Sequence, residues 1–510
     1  MLDKRLLQLI VSIFMGLFIV GVFLGGVYQA RASVTQNTQN IIAVGEQPLT
    51  ETQQTIYLPI AMKYYFPWYS LFGVEALRTL MQGDKVLSST LSLPAGWVRL
   101  NDRVSWRSLQ PEEGAPIQWE QLATFEEELR VLRGAGITPI VIVDDYPRWA
   151  TDNTVRGDGQ PTSCGRLLDN KVDDFAVFVT ELVNRYKIPE FGVRNWELGN
   201  EPDVDPDLVV PDNVFGCWGD IADPYYGGET YGRMIIQVGS AIKAADPGAR
   251  VWLGGLLLFP PQTTDPNLGH PELFFEGILR SGAAPYFDIV PYHWYPSYGW
   301  EKVIDFDIQP HSWSDWGGGT VGKARYLRQL MQAYGVSKPV FLNETAFMCP
   351  YNPEDPTRYL WCVFPTEDFF DLQASYIVRS ATRAYNENIM GYIWYTIDGP
   401  GWNWGGLLDS TQSPKPVYLA YSQMINQYRN SRLLGPVSYA TGIEAYAFDR
   451  GPDRLDVLWS IEDQTITVTV PISDWIGTYG RNGEIITPTL NGTNYLLPIG
   501  FSPVYILLRP

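Results

Sequence analysis

Between residues 72 and 398 the chain alternates short, almost continuously apolar runs with longer stretches whose apolar residues recur every three or four positions. The short runs are FGVEAL (72–77), GWVRLN (96–101), TPIVIVDD (138–145), VRNWELGN (193–200), RVWLGGLLL (250–258), FDIVPYHWY (287–295), PVFLNETAF (339–347) and MGYIWYTID (390–398). Unbroken, β-branched runs of this length are what parallel strands buried on both faces require. The stretches between them carry helix punctuation. WEQLATFEEELRVLRGAG (119–136) ends in glycine, DDFAVFVTELVNRYK (173–187) opens with acids, and TYGRMIIQVGSAIKAADPG (230–248) closes on Pro-Gly. VGKARYLRQLMQAYG (321–335), DFFDLQASYIVRSATRAYNEN (368–388) and KPVYLAYSQMINQYRN (415–430) have the same periodicity. Eight strand–helix units in series predict an α/β fold, a (β/α)₈ TIM barrel over residues 70–432. An open doubly wound sheet fits less well, because no glycine-rich phosphate loop follows the first strand.

Beyond residue 433 the period changes. IEAYAFDR, LDVLWSIE, TITVTVP and PVYILL alternate apolar and polar positions between Gly, Pro and Asp turns, and 433–510 therefore predict a small all-β sandwich. At the other end, MLDKR precedes an uncharged apolar run at 6–28, which is 23 residues and long enough to span a bilayer as a helix. Lys4 and Arg5 orient its start towards the cytoplasm, and Ala30 to Ala32 form an A-x-A cleavage pattern. Residues 1–32 are thus a signal peptide or a membrane anchor, 33–69 a spacer and lead-in, and the body is expected outside the cell or on its surface.

Composition narrows the function. The length of 510 residues calls for two domains plus accessory segments. The formal charge of −19 argues against a nucleic-acid partner, which needs clustered Lys and Arg. Aromatic residues reach 14%, with 18 Trp and 30 Tyr, a composition suited to flat amphipathic ligands such as sugar rings. Four cysteines in an exported chain predict two disulfides, 164–217 and 349–362, each tying down loops on one face of the barrel. With no C-x-x-C pattern and only three histidines, no metal or other cofactor is expected.

Barrel enzymes carry their chemistry at the C-terminal ends of the strands. Glu201 follows the fourth strand in NWELGNEPD and Glu344 closes the seventh in VFLNETAF, each directly after an asparagine. One such carboxylate is ordinarily a cap or an ion-pair partner. Two at matching positions on facing strands converge over the barrel mouth and point to glycosidic bond chemistry.

These residues also carry a family resemblance. WELGNEP (196–202), NET (343–345), HWY (293–295) and the strand-eight Trp394 resemble the clan A retaining glycoside hydrolases, in the neighbourhood of families 39 and 5, over about residues 70–510. The resemblance implies Glu201 as acid/base and Glu344 as nucleophile, with an oligo- or polysaccharide as substrate. It further implies Arg99 holding Glu344 ionised, Tyr295 donating to it, Asn200 contacting the sugar 2-hydroxyl, His293 at the barrel mouth, and Trp394 as the floor of the sugar site. Trp402 to Trp404 in the loop after strand eight are a candidate stacking surface, while Trp149, Asp144 and Asp145 after strand three are weaker candidates for substrate contact. A catalytically silent surface carbohydrate-binding protein and a transglycosylase are the alternatives on the same scaffold. Retention of both glutamates weighs against the former.

Overall fold

The computed structural model describes residues 71–152, 165–206, 216–261, 267–296, 307, 312–349 and 365–510. The apolar leader at 6–28, its A-x-A pattern and the spacer lie outside these residues. Among the described residues no helix is long and apolar enough to cross a membrane.

Eight parallel strands form where the apolar runs predict them: β1 Phe72–Ala76, β2 Trp97–Ser105, β3 Thr138–Asp144, β4 Asn195–Asn200, β5 Arg250–Gly255, β6 Val290–Trp294, β7 Val340–Thr345 and β8 Tyr392–Trp394. Their order in the sheet is β5-β4-β3-β2-β1-β8-β7-β6. Parallel bridges from Trp252 to Ile289 and from Leu256 to Tyr292 join the two edges, so the sheet curls into a barrel. The last strand is shorter than its apolar run. After Trp394 the chain leaves the ladder because Thr396 Oγ1 and the Ile397 amide both donate to the carbonyl of Glu75, at 2.9 and 2.8 Å.

Alternation along each strand fixes what the barrel holds. On β2, Trp97 and Arg99 share the inward face. Trp97, Trp252 and Phe341 plug the N-terminal half, with ring centroids 4.8 to 6.0 Å apart in edge and tilted contacts. Above this apolar plug the inward positions turn ionic, as described below. Outside the barrel, the amphipathic helices cover the strands. The helix Pro416–Tyr428 seals the first strand to the last: Tyr421 Oη accepts from the Gly73 amide at 3.1 Å and donates to the Gly73 carbonyl at 2.9 Å.

Two antiparallel sheets follow. β9 Arg432–Pro436, β10 Ile443–Asp449, β11 Arg454–Ser460, β13 Trp475–Gly480 and β16 Val504–Leu508 make a five-stranded sheet, in the order β13-β16-β11-β10-β9. β12 Ile466–Pro471, β14 Thr489–Asn491 and β15 Asn494–Ile499 make a three-stranded one. Leu458, Val468, Val470, Leu497, Ile499 and Ile506 form the core they share. The barrel and these sheets belong to one compact unit, Trp68–Pro510.

Tyr421→Phe should leave the buried Gly73 amide without its side-chain acceptor and lower stability by about 1–3 kcal/mol. Urea unfolding checks this, and an unchanged midpoint would show that Tyr421 does not hold the barrel seam.

Candidate active site

The site is organised around one buried guanidinium. Arg99, fully buried on β2, donates from Nε and Nη2 to the two oxygens of Glu197, at 2.9 and 2.8 Å. Its Nη1 is 2.6 Å from both Glu75 Oε2 and Glu344 Oε2, and Nη2 also donates to Asn200 Oδ1 at 2.6 Å. Strands β1, β2, β4 and β7 thereby each contribute an inward charged group to one cluster. Its outer members are also fixed: Asn101 donates to Glu75 at 2.6 Å, and Asn343 and the Gly255 amide donate to Glu197 at 2.9 and 3.0 Å. One cation faces three carboxylates. Burial pushes Glu75 well above the usual carboxylate range, against the pull of Arg99 and with the push of the Glu344 charge.

Glu201 reaches the same cluster by a local distortion. The chain takes positive φ at Gly199 (+95°) and again at Glu201 (+46°), a conformation that costs a non-glycine residue on the order of 1–3 kcal/mol. The turn is held because the Glu201 amide donates to the Gly255 carbonyl at 2.9 Å, while Asp203 accepts the Leu257 and Leu258 amides at 2.9 and 2.7 Å. Lys323, entering from the helix Gly319–Ala333, completes the clamp with Nζ at 2.6 Å from the Leu257 carbonyl and 2.8 Å from that of His293.

His293 stands between the two sequence-predicted carboxylates. Its Nδ1 is 2.9 Å from Glu201 Oε1, and its Nε2 is 3.5 Å from Glu344 Oε2. A Cβ on residue 255 would lie 2.1 Å from that Nε2, so the glycine at the end of β5 makes room for the ring. One donor atom from each of Glu201, His293 and Glu344 lies within 4.8 Å of the others, which is a set able to approach a cation. The two ring nitrogens face different carboxylates, however, and this is the geometry of a bridge more than of three donors on one point. Burial and the Arg99 charge hold the imidazole well below its usual range, hence neutral.

Burial pushes both Glu201 and Glu344 up to about 7. Their partners differ. Glu344 takes a charged hydrogen bond from Arg99 and another from Tyr295 Oη, while the side-chain hydrogen bond of Glu201 among the described residues is to the neutral imidazole. The pair titrates as a unit, and its first negative charge is better stabilised on Glu344, leaving the proton on Glu201.

Arg99, Asn200, Glu201, His293, Tyr295 and Glu344 therefore come together. Trp394 does not join them, which corrects the expectation of a floor for the sugar site. It is fully buried, its Nε1 donates to the Gly405 carbonyl at 2.7 Å, and its ring lies 6.2 Å from Tyr376 in the helix layer. Alternation along β8 turns Tyr392 and Trp394 outwards and brings the next residue, Tyr395, inwards, 5.8 Å from the Tyr295 ring. Trp402 meets Tyr295 from another side at 5.6 Å and a right angle. Asp145 pairs with Arg107 at 2.7 Å, and Trp149 is edge-on to Trp106 at 5.1 Å with its Nε1 on the Gln110 carbonyl. Asp144 ends β3 half-buried, raised well above the usual range by burial and by the Asp145 and Asp102 charges. Cys217 and Cys349 are both disulfide-bonded, but the two expected pairings involve Cys164 and Cys362, which lie outside the described residues.

Glu75, Glu197, Asn343, Lys323 and Tyr395 were not anticipated. Glu75 and Glu197 carried a legible signal, an acid inside an otherwise apolar strand. Lys323 and Tyr395 carried none.

No known family model matches the sequence, and no curated protein matches it. Solved structures do. A family 39 glycoside hydrolase from the gut symbiont Bacteroides cellulosilyticus superposes with a TM-score of 0.61 at 17% identity, over 87% of this chain and 81% of its own. What the two share is the fold, an eight-stranded parallel barrel with antiparallel sheets attached. A family 39 β-xylosidase from Caulobacter crescentus gives 0.54 at 17% identity, over 87% of this chain and 96% of its own. A family 30 endoxylanase from Clostridium papyrosolvens gives 0.55 at 12%, over 86% and 96%. At such identities the likeness concerns the barrel and its attached β-sheets, and the chemistry has to be argued from the site.

Arg99→Lys should destabilise the chain by about 3–5 kcal/mol, because a single ammonium cannot serve the fork on Glu197 together with Glu75 and Glu344. Denaturant unfolding at neutral pH measures this. The glutamate pair makes a second prediction. In the folded chain both groups keep protons up to about 7 against an ordinary value of 4.5, so over that window the folded state binds more protons than the unfolded one. Stability contributed by the pair is complete at the acid end and declines as pH rises through about 7. Between pH ~5 and ~8 the melting temperature of the wild type should fall more steeply than that of Glu201→Gln, and parallel curves would refute the assignment.

Proposed function

We propose that the chain is a retaining glycoside hydrolase that cleaves β-linked oligo- or polysaccharides by double displacement. The observation that carries this reading is the approach of the two carboxylates. An oxygen of Glu201 and an oxygen of Glu344 lie within 4.8 Å of each other. Retaining enzymes hold their carboxyl groups about 5–5.5 Å apart, whereas inverting enzymes need roughly 6.5–9.5 Å to admit a water.

In the first step Glu344, ionised beside Arg99 and Tyr295, attacks the anomeric carbon as the bond to the leaving oxygen breaks, and Glu201 delivers its proton to that oxygen. This leaves a glycosyl ester on Glu344 and a carboxylate on Glu201. In the second step Glu201 takes a proton from water, the resulting hydroxide equivalent displaces Glu344, and the sugar leaves with net retention. Asn200, anchored to Arg99 at 2.6 Å, is set beside Glu201 to bond the sugar 2-hydroxyl. Tyr395 and Trp402, the two rings against Tyr295, supply the aromatic wall assigned by sequence to Trp394.

The solved neighbours that include a β-xylosidase and an endoxylanase make β-xylosides the first substrates to try. The apolar leader at 6–28 supports an exported enzyme, released or anchored at the cell surface.

Wild type and two variants would be tested on aryl β-xylosides and on a panel of β-linked oligosaccharides read by mass spectrometry. Glu344→Gln should abolish turnover, by roughly 10⁴-fold or more. Glu201→Gln should cost roughly 10²–10⁴-fold on substrates with poor leaving groups, less on activated ones, and should remove the alkaline limb of the pH–rate profile. Undiminished turnover in Glu344→Gln would overturn the nucleophile. Tightly bound but uncleaved oligosaccharides with the wild type would favour a binding protein instead.

A further inference from the structure

The site in the barrel and the five-stranded sheet are joined by a line of polar contacts, half-buried at Glu444 and buried from Arg383 inwards. It begins at Glu444 on β10. Glu444 accepts from Arg383 Nε and Nη2 at 2.8 and 2.5 Å, from Tyr446 Oη at 2.8 Å and from Trp459 Nε1 at 3.2 Å. Arg383 belongs to the helix Glu367–Asn386 and is itself buried. Its Nη1 lies 3.5 Å from Asp307 Oδ2. Asp307, buried in turn, accepts the indole N–H of Trp294 on Oδ1 at 3.0 Å, along with the amide and hydroxyl of Thr320 at 3.2 and 3.0 Å.

Trp294 is the residue between His293 and Tyr295. Its carbonyl accepts from Thr345 Oγ1 at 2.6 Å, one residue past Glu344. Lys323, which also holds the His293 carbonyl, lies 5.3 Å from the indole centroid. A Cβ on Gly319 would lie 1.9 Å from Cε2 of the ring, so the helix start rests directly on the indole. The indole is thus tied on several sides to the strand that carries His293 and Tyr295.

We infer that the C-terminal sheet positions the reacting carboxylates, with Glu444, Arg383 and Asp307 fixing the orientation of Trp294 and thereby of His293 and Tyr295. The inference rests on the reading of Glu201 and Glu344 as the reacting pair. Glu444, Arg383 and Asp307 are positioning residues and touch no substrate. Charge matters to the line as well as shape: Glu444 and Asp307 hold Arg383 from opposite sides, so neutralising either one lets the guanidinium move towards the other.

The test uses the full chain. It contains only three histidines, His270, His293 and His311, so ¹⁵N labelling of histidine isolates the His293 ring, assigned with His270→Gln and His311→Gln. Glu444→Gln and Asp307→Asn should each shift or broaden the His293 ring resonances. Each should also lower kcat on an aryl β-xyloside roughly tenfold with KM unchanged, less than the hundredfold that a 1 Å misplacement can cost. Arg481→Lys is the control. Arg481 binds the same sheet to the same helix, through the Asp371 carbonyl and Ser375 Oγ at 2.7 and 2.6 Å, off the line to Trp294. It should lower the melting temperature and leave the His293 signal in place. His293 resonances unmoved in the folded Asp307→Asn variant would overturn the inference, and so would an equal displacement in Arg481→Lys, which would mean general loosening. A wild type that cleaves nothing on the panel defeats the hydrolase reading, while the resonances still decide the coupling.

Discussion

A single buried cation determines how this barrel is filled. Glu75, Glu197 and Glu344 come from three strands that no local preference would bring together, and their mutual repulsion in a low-dielectric interior would force them apart or protonate them. The Arg99 guanidinium meets all three because its N–H groups are fixed in one plane, presenting a fork to Glu197 and a shared Nη1 to Glu75 and Glu344. Such a cluster costs stability relative to an apolar core of the same volume. What it provides is register: β1, β2, β4 and β7 cannot slide past one another without breaking it.

The rest of the site is a consequence of that anchorage. With Glu344 held between Arg99 and Tyr295, the proton shared by the facing pair is better kept on Glu201, at the strained turn. That turn survives because Asp203 and Lys323 tie it to the β5 and β6 ends from both sides. Burial acts on the same groups in opposite senses, pushing Asp203 up to about 6 and Lys323 down to about 7.

Contact between the barrel and the C-terminal sheets is of a related kind. Arg379 lies 3.9 Å from the Phe501 ring centroid and 5.4 Å from that of Trp459, and Arg383 and Arg481 reach across to Glu444 and back to Asp371. Arginines on one helix and in the turn after β13 join aromatic and acidic partners. Directional contacts of this sort fix orientation more tightly than an apolar seam of equal area would.

The amino-acid sequence by itself determined the fold and the two carboxylates that meet over the barrel mouth. Burial on both faces leaves a nearly continuous apolar run, so all eight barrel strands could be read, and the change to alternation marked the C-terminal strands. Glu201 and Glu344 stood out because an acid at the close of such a run has to face a cleft. Arg99, His293 and Tyr295 were legible through the family resemblance of their motifs, and the fold comparison agrees with the architecture this implied. Tertiary structure alone decided which face each residue of the short strand β8 presents. Only three residues of that strand pair, so alternation could not be phased from sequence, and Tyr395 took the inward place expected of Trp394. It alone decided that Lys323, on a helix, would reach the carbonyls of Leu257 and His293 beside Glu201. It also decided that a glutamate on β10 would lie in line with Trp294. Such contacts join residues tens to hundreds of positions apart, and no period or local pattern in one chain encodes them.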